Sequence, residues 1–220
     1  MSISPRFLRF AALCSFASAI TTLGVHLLPP MLPAARTVEE AARLHDNPIH
    51  VARLWIVALH VLIVFVAAWA AALLLSPRAP GWVGLGLFGY AVFTIAELTR
   101  TCLGLFAVNR WRAAYLDPDT PETARAALRT LLEGWPGVSL SLFAVFWTGF
   151  AIGNLFYGIA ATRGRGLERV VGVVLLVWAA ISLAGPLAAS LQTPGPPDWL
   201  SYTFQPAARA LLGVWIWKSA

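Results

Sequence analysis

WVGLGLFGYAVFTIAELTRTCLGLFAV, residues 82–108, decides the fold. A bilayer core takes about 20 consecutive apolar residues in helical form, and this run is long enough. Only Glu97 and Arg100 interrupt it. Charged groups in hydrocarbon are costly, so they turn to the interior of a bundle and find partners there. The run therefore predicts companion helices, and the rest of the chain supplies them.

The chain has 220 residues, is 59% hydrophobic and 12% charged. A soluble domain carries about 25% charged residues, so this composition excludes an ordinary soluble fold. The expected class is all-α: an integral membrane bundle of six transmembrane helices forming a single transmembrane domain over 1–220. The spans fall at about 7–28, 49–75, 82–108, 136–161, 167–191 and 198–217. The last of these is interrupted by Gln205, Pro206 and Arg209.

Two amphipathic surface helices complete the fold. Thr37 and Glu40, three apart, form a capping box for the first, which runs to about His45 and is broken at Asn47-Pro48. Thr120-Pro121-Glu122 starts the second. Ala124, Ala127, Leu128, Leu131 and Leu132 make its apolar stripe, and Gly134 closes it. A proline-rich turn follows the fifth span at Gln192 to Pro197.

The N-terminal apolar run holds Ala17-Ser18-Ala19, which resembles a signal-peptide cleavage site. The run continues well past it to Leu28, which favours a retained helix. The net charge of +6 is scattered over span ends and short loops. It forms no stripe, so no nucleic acid is expected, and membrane lipids are the expected partners. Lys and Arg tie between the two sides of a six-span layout. Arg6 and Arg9 flank the first helix, which usually dominates orientation, so both termini are placed in the cytoplasm.

Cys14 and Cys102 lie at different depths and match no redox or haem motif. His26, His45, His50 and Asp46 have no metal-ligand spacing, so neither metal nor cofactor is expected. Trp82, Trp111, Trp135, Trp199, Trp215 and Trp217 sit at span ends as an aromatic belt. Trp55, Trp69, Trp147 and Trp178 lie deeper and are expected to pack helices. Gly149 and Gly153, four apart, favour a close helix–helix contact.

At about 1.5 Å per residue, His60 and Glu97 fall at similar depth, Arg209 near the midplane, and Arg100 a turn outward of Glu97. Thr94, Glu97, Thr101 and Gly104 share one face. Glu97, Arg100, His60 and Arg209 are therefore the candidate ligand-binding residues, with no catalytic residue assigned. Three readings stay open. Glu97 and Arg100 can be a structural ion pair with His60 completing the bonds. The arginines can hold an anionic headgroup or carboxylate. His60 and Glu97 can relay protons or act as acid and base.

No nucleotide loop, HExxH or GxSxG occurs, which favours a non-enzymatic role. The first expectation is a membrane protein that binds or transports a small amphipathic or anionic molecule at this buried cluster. The second is a structural or accessory subunit of a membrane complex. The third is an integral membrane enzyme using His60 and Glu97.

The surface helix Thr37-Val38-Glu39-Glu40-Ala41-Ala42-Arg43, then Pro48 and Arg53-Leu54 entering the second span, resembles a family of bacterial multi-pass membrane proteins of six to seven helices with no assigned activity. The resemblance covers residues 7–75. It implies a multi-pass protein of the bacterial inner membrane and carries no site residues over.

Overall fold

The computed structural model describes residues 3–32, 35–190 and 198–220. Among them the protein is helical, with no strand. The helices are α1 (Pro5–Leu27), α2 (Val38–Ala42), α3 (Pro48–Leu75), α4 (Pro80–Cys102), α5 (Asn109–Leu116), α6 (Glu122–Thr162), α7 (Leu167–Ser190) and α8 (Asp198–Lys218).

Local chemistry sets the starts. Proline holds the first turn of α1, α3 and α4, where its missing N–H is not needed. Asn47 Oδ1 accepts from the amides of Ile49 and His50, both at 3.0 Å, and so caps α3. The capping box at α2 is present. Thr37 Oγ1 accepts from the Glu40 amide and the Glu40 carboxylate from the Thr37 amide, each at 3.2 Å. Gly166, at φ 55°, takes the left-handed turn into α7.

The polar segment after the third span departs from expectation. α4 does not stop at Val108. A π-helical turn over Leu103–Val108 carries it straight into α5. Thr120 does not cap the next helix. Its hydroxyl donates to the Ala114 carbonyl at 2.7 Å, and Pro121 takes the cap position without a side-chain bond. Nor does Gly134 close a separate surface helix, because α6 runs unbroken from Glu122 through Pro136 to Thr162. A glycine inside a helix costs only about 1 kcal/mol, less than the strong helix formers on either side supply. Pro136 removes one backbone bond, which long membrane-type helices tolerate. The turn expected at Gln192 to Pro197 lies outside the described residues.

Five helical stretches among the described residues are long and apolar enough to cross a membrane: α1, α3, α4 with its continuation, α6 and α7. α8 is not among them. Its Asp198, Gln205, Arg209 and Lys218 dilute its apolar content.

The long helices pack in chain order: α1 on α3, α3 on α4, α4 on α6, α6 on α7. α8 returns to α1, and the lighter α7–α8 contact completes a ring. Neighbours run antiparallel. Arg9 over Trp217 and the Arg78–Glu168 pair at 2.5 Å gather at the end that holds both termini. At the opposite end α2, α5 and the start of α6 meet. There the Tyr115 hydroxyl donates to Glu39 Oε1 at 2.6 Å, which holds the Glu39 carboxyl below its usual range.

Large apolar side chains point outward around the ring, among them Phe10, Ile20, Leu59, Phe88, Ile95 and Leu140. A monomer in water rarely exposes so continuous an apolar surface. Trp55 and Trp69 belong to this outer face, 55% and 44% exposed, although Trp55 still meets Phe106 of the neighbouring helix edge-on at 6.1 Å. The two tryptophans share the face with Leu59 and Leu62, at three-to-four-residue spacing along α3. Trp178 is buried as expected. Trp215, expected in the belt, is buried in the core.

α4 and α6 approach most closely. A Cβ at Gly89 would lie 2.5 Å from the Gly153 amide nitrogen and 2.7 Å from the Gly149 carbonyl. Gly149 and Gly153 thus meet Gly89 and Tyr90 of the same chain. Tyr157 fills the space over Gly86 and donates to the Ala68 carbonyl at 3.1 Å. The half of the ring nearest the termini is packed solid. The other half is not.

Candidate functional site

The open half of the ring encloses a cavity of about 350 Å³. Glu97, Arg100, His60 and Arg209 all line it. Four helices each contribute a pair of lining residues seven apart: Arg53 and His60, Phe93 and Arg100, Phe143 and Phe150, Tyr202 and Arg209. Seven residues are two helical turns, so the lining forms two tiers about 10 Å apart. The antiparallel order puts Arg53, Arg100, Phe143 and Tyr202 at the mouth, beside Pro29 and Pro30. His60, Phe93, Phe150 and Arg209 form the floor.

Glu97 is buried and held by one partner. Arg100 grips it with two bonds, Nε to Oε2 at 2.8 Å and Nη2 to Oε1. The forked geometry suits a carboxylate and is strong where water is scarce. Arg100 also lies over the Phe143 ring at 5.6 Å and reaches Ser139 Oγ at 3.5 Å. The Thr94, Glu97, Thr101 and Gly104 face is buried along its whole length.

Arg209 differs from Arg100. It is 6% exposed, and among the described residues no carboxylate pairs with it. Its Nε has no hydrogen-bond partner. What it has is aromatic: the guanidinium sits 5.0 Å from the Trp178 ring and 5.7 Å from Phe150. Ring faces attract a desolvated cation but do not neutralise it. The Ser15 hydroxyl fixes the local backbone by donating to the Arg209 carbonyl at 2.7 Å.

His60 does not reach Glu97 in a hydrogen bond. Its Nδ1 pairs with Thr21 Oγ1 at 2.7 Å. The other histidines are dispersed. His50 pairs with buried Arg112 at 2.9 Å, His45 with the Ala42 carbonyl at 3.0 Å, and His26 lies edge-on to Tyr202.

Arg53 is the residue that sequence reasoning missed. It lines the cavity mouth, and its Nε has no hydrogen-bond partner among the described residues. A signal was available, because Arg53, Val57 and His60 recur at i, i+4 and i+7 and so share a face. The aromatic ladder Phe143, Phe146, Trp147 and Phe150 carries the same spacing and was also passed over. Phe146 and Phe150 stack with Phe93, at 4.8 and 5.1 Å between ring centres.

The lining charges can be summed. Arg53, Arg100 and Arg209 are three guanidiniums against the single carboxylate of Glu97, an excess of two positive charges before either histidine is counted. The rest of the wall is mainly apolar and aromatic. Such a cavity favours an anion with an apolar body.

No family model, curated protein or solved structure matches the chain.

Proposed function

We propose that this chain is an integral membrane protein of six spans, with α8 as the sixth, that binds and moves a small anionic amphipathic molecule through the cavity of its helical ring. One observation carries the reading: Arg209 is a buried cation that lines a cavity and, among the described residues, has no carboxylate partner. A buried unpaired charge is strongly destabilising, so a cation kept in this state calls for a partner from outside the chain. The outward apolar surface supports a lipid surround, and the excess of guanidinium supports an anionic guest. Bacterial inner-membrane placement, with both termini cytoplasmic, follows from the sequence reading and belongs to the same proposal.

The alternatives draw less support. An accessory subunit that uses Gly149 and Gly153 as its docking face would need them free, and α4 occupies them. An enzyme using His60 and Glu97 as acid and base would need both free to face a substrate in the cavity they line. Each is instead bonded elsewhere.

The test is thermal unfolding of the purified full chain in a neutral maltoside detergent, with decanoate, decyl phosphate, sebacate and decyltrimethylammonium as probes. At least one of the acids should stabilise the protein saturably and the cation should not. Arg209→Gln should weaken the acid by roughly tenfold, about what one charge-assisted bond is worth. Failure of every acid to stabilise, or equal response to the cation, overturns the reading.

A further inference from the structure

The two excess charges of the cavity sit at opposite ends of it. Glu97 neutralises Arg100 by accepting two hydrogen bonds from it. That leaves Arg209 at the floor and Arg53 at the mouth, and neither has a carboxylate partner among the described residues. Between them the wall is mainly apolar and aromatic, with Val25, Val57, Phe146 and Trp147, and is broken by Glu97, which is bonded to Arg100 and also lies within electrostatic reach of Arg53. The two tiers are about 10 Å apart by helical rise.

A ligand with one acidic head cannot serve both ends. Seated head-down on Arg209, its tail lies against the Arg53 guanidinium. Seated head-up at the mouth, it leaves Arg209 bare behind an apolar tail. Either pose sets a guanidinium beside hydrocarbon, buried Arg209 or half-buried Arg53 with its shielded Nε, which is unfavourable unless the charge is paired. A ligand with both charges on one head has the same defect.

We propose that the guest is an elongated diacid: two acidic groups about 10 Å apart, joined by an apolar segment. One acid sits on Arg209, flanked by Gln205 and His60. The other sits on Arg53, flanked by Tyr202 and His26. The joining segment lies along the Phe146–Trp147 wall. Glu97 stays on Arg100 and keeps that third guanidinium out of the count, so the charge of the guest matches the two that remain. This inference rests on the anion-binding reading above and narrows it to one class.

The experiment compares adipate, sebacate and tetradecanedioate with decanoate and lysophosphatidate, by saturable thermal stabilisation of the full chain in maltoside. The Arg53→Gln, Arg209→Gln double variant is titrated in parallel to subtract partition into the micelle. Sebacate should bind roughly tenfold more tightly than decanoate, the value of one added charge-assisted contact. It should also exceed both the shorter and the longer diacid. Arg53→Gln should bring sebacate down to the level of decanoate, because the difference between the two ligands rests on that guanidinium, whereas Arg209→Gln should weaken both. Decanoate or lysophosphatidate binding as tightly as sebacate overturns the inference and leaves anion binding standing. So does an equal loss of sebacate and decanoate in Arg53→Gln. If no acid binds, the anion-binding reading itself fails.

Discussion

Arg100 and Arg209 are the same residue type in two electrostatic situations. Arg100 shares its charge with Glu97, and removing either partner alone strands the other in a poor dielectric. Arg100→Ala should therefore cost roughly 3–5 kcal/mol in detergent unfolding, the usual result of breaking one side of a buried pair. The Glu97→Gln, Arg100→Gln double variant leaves no charge behind and should recover most of that loss. An equal loss in the single and double variants would refute the pairing account. At this scale the sequence was informative about Glu97 and Arg100, because a charge in an apolar run is visible by contrast. Arg53 was not legible in the same way. A basic residue six positions into α3 looks like a span-end anchor, and in the sequence only its shared face with Val57 and His60 hints at the cavity wall where it lies.

The elements show where propensity outvoted punctuation. Gly134 reads as a stop, but Ala, Leu, Arg and Glu run up to it and α6 passes through it and on through Pro136. α4 likewise overruns its expected end by way of the π turn at Leu103–Val108. π turns inside α-helices are frequent at functional sites, and this one begins three residues after Arg100. The α4–α6 contact was only half legible. Gly149 and Gly153 announced a close approach, but nothing local said that the partner would be Gly86 and Gly89 of the same chain.

Gly89→Ala places a methyl 2.5 Å from the Gly153 amide nitrogen. It should destabilise by about 1–3 kcal/mol, as overpacking does. Gly84→Ala, one turn earlier, meets nothing within 4 Å. It should be neutral or stabilising by about 0.5–1 kcal/mol, since alanine loses less freedom in a helix. Unfolding of both variants in detergent decides the matter, and equal behaviour would mean that the glycines are not the contact.

The whole molecule is a ring whose chain-order packing brings first and last long helices together. The helical class and the presence of several long apolar helices followed from composition and period, which are properties of short windows. Ring closure did not, because it depends on which faces of α1 and α8 fit across the whole length of the chain. If α8 spans, both termini lie on one side. Ser4→Cys and Ser219→Cys, each in a chain lacking Cys14 and Cys102, should react with a membrane-impermeant maleimide in inside-out vesicles. Neither should react in right-side-out vesicles. Labelling from opposite faces would reduce the count to five.

Closure of the ring by its last helix has a consequence for biosynthesis. Ser15, Ser18 and Thr22 form a buried polar stripe on α1. Ser18 and Thr22 return their protons to carbonyls of their own helix, at 2.7 Å each. Ser15 instead donates its hydrogen bond to the Arg209 carbonyl, 194 positions later. At a ribosomal pace of about 5–20 residues per second, α1 waits roughly 10–40 s for that acceptor. During the wait its α8-facing side has no permanent neighbour, and the floor of the cavity does not yet exist. The nascent chain is therefore most exposed to mispairing and degradation while α1 stands half-dressed against α3, before α8 has been made.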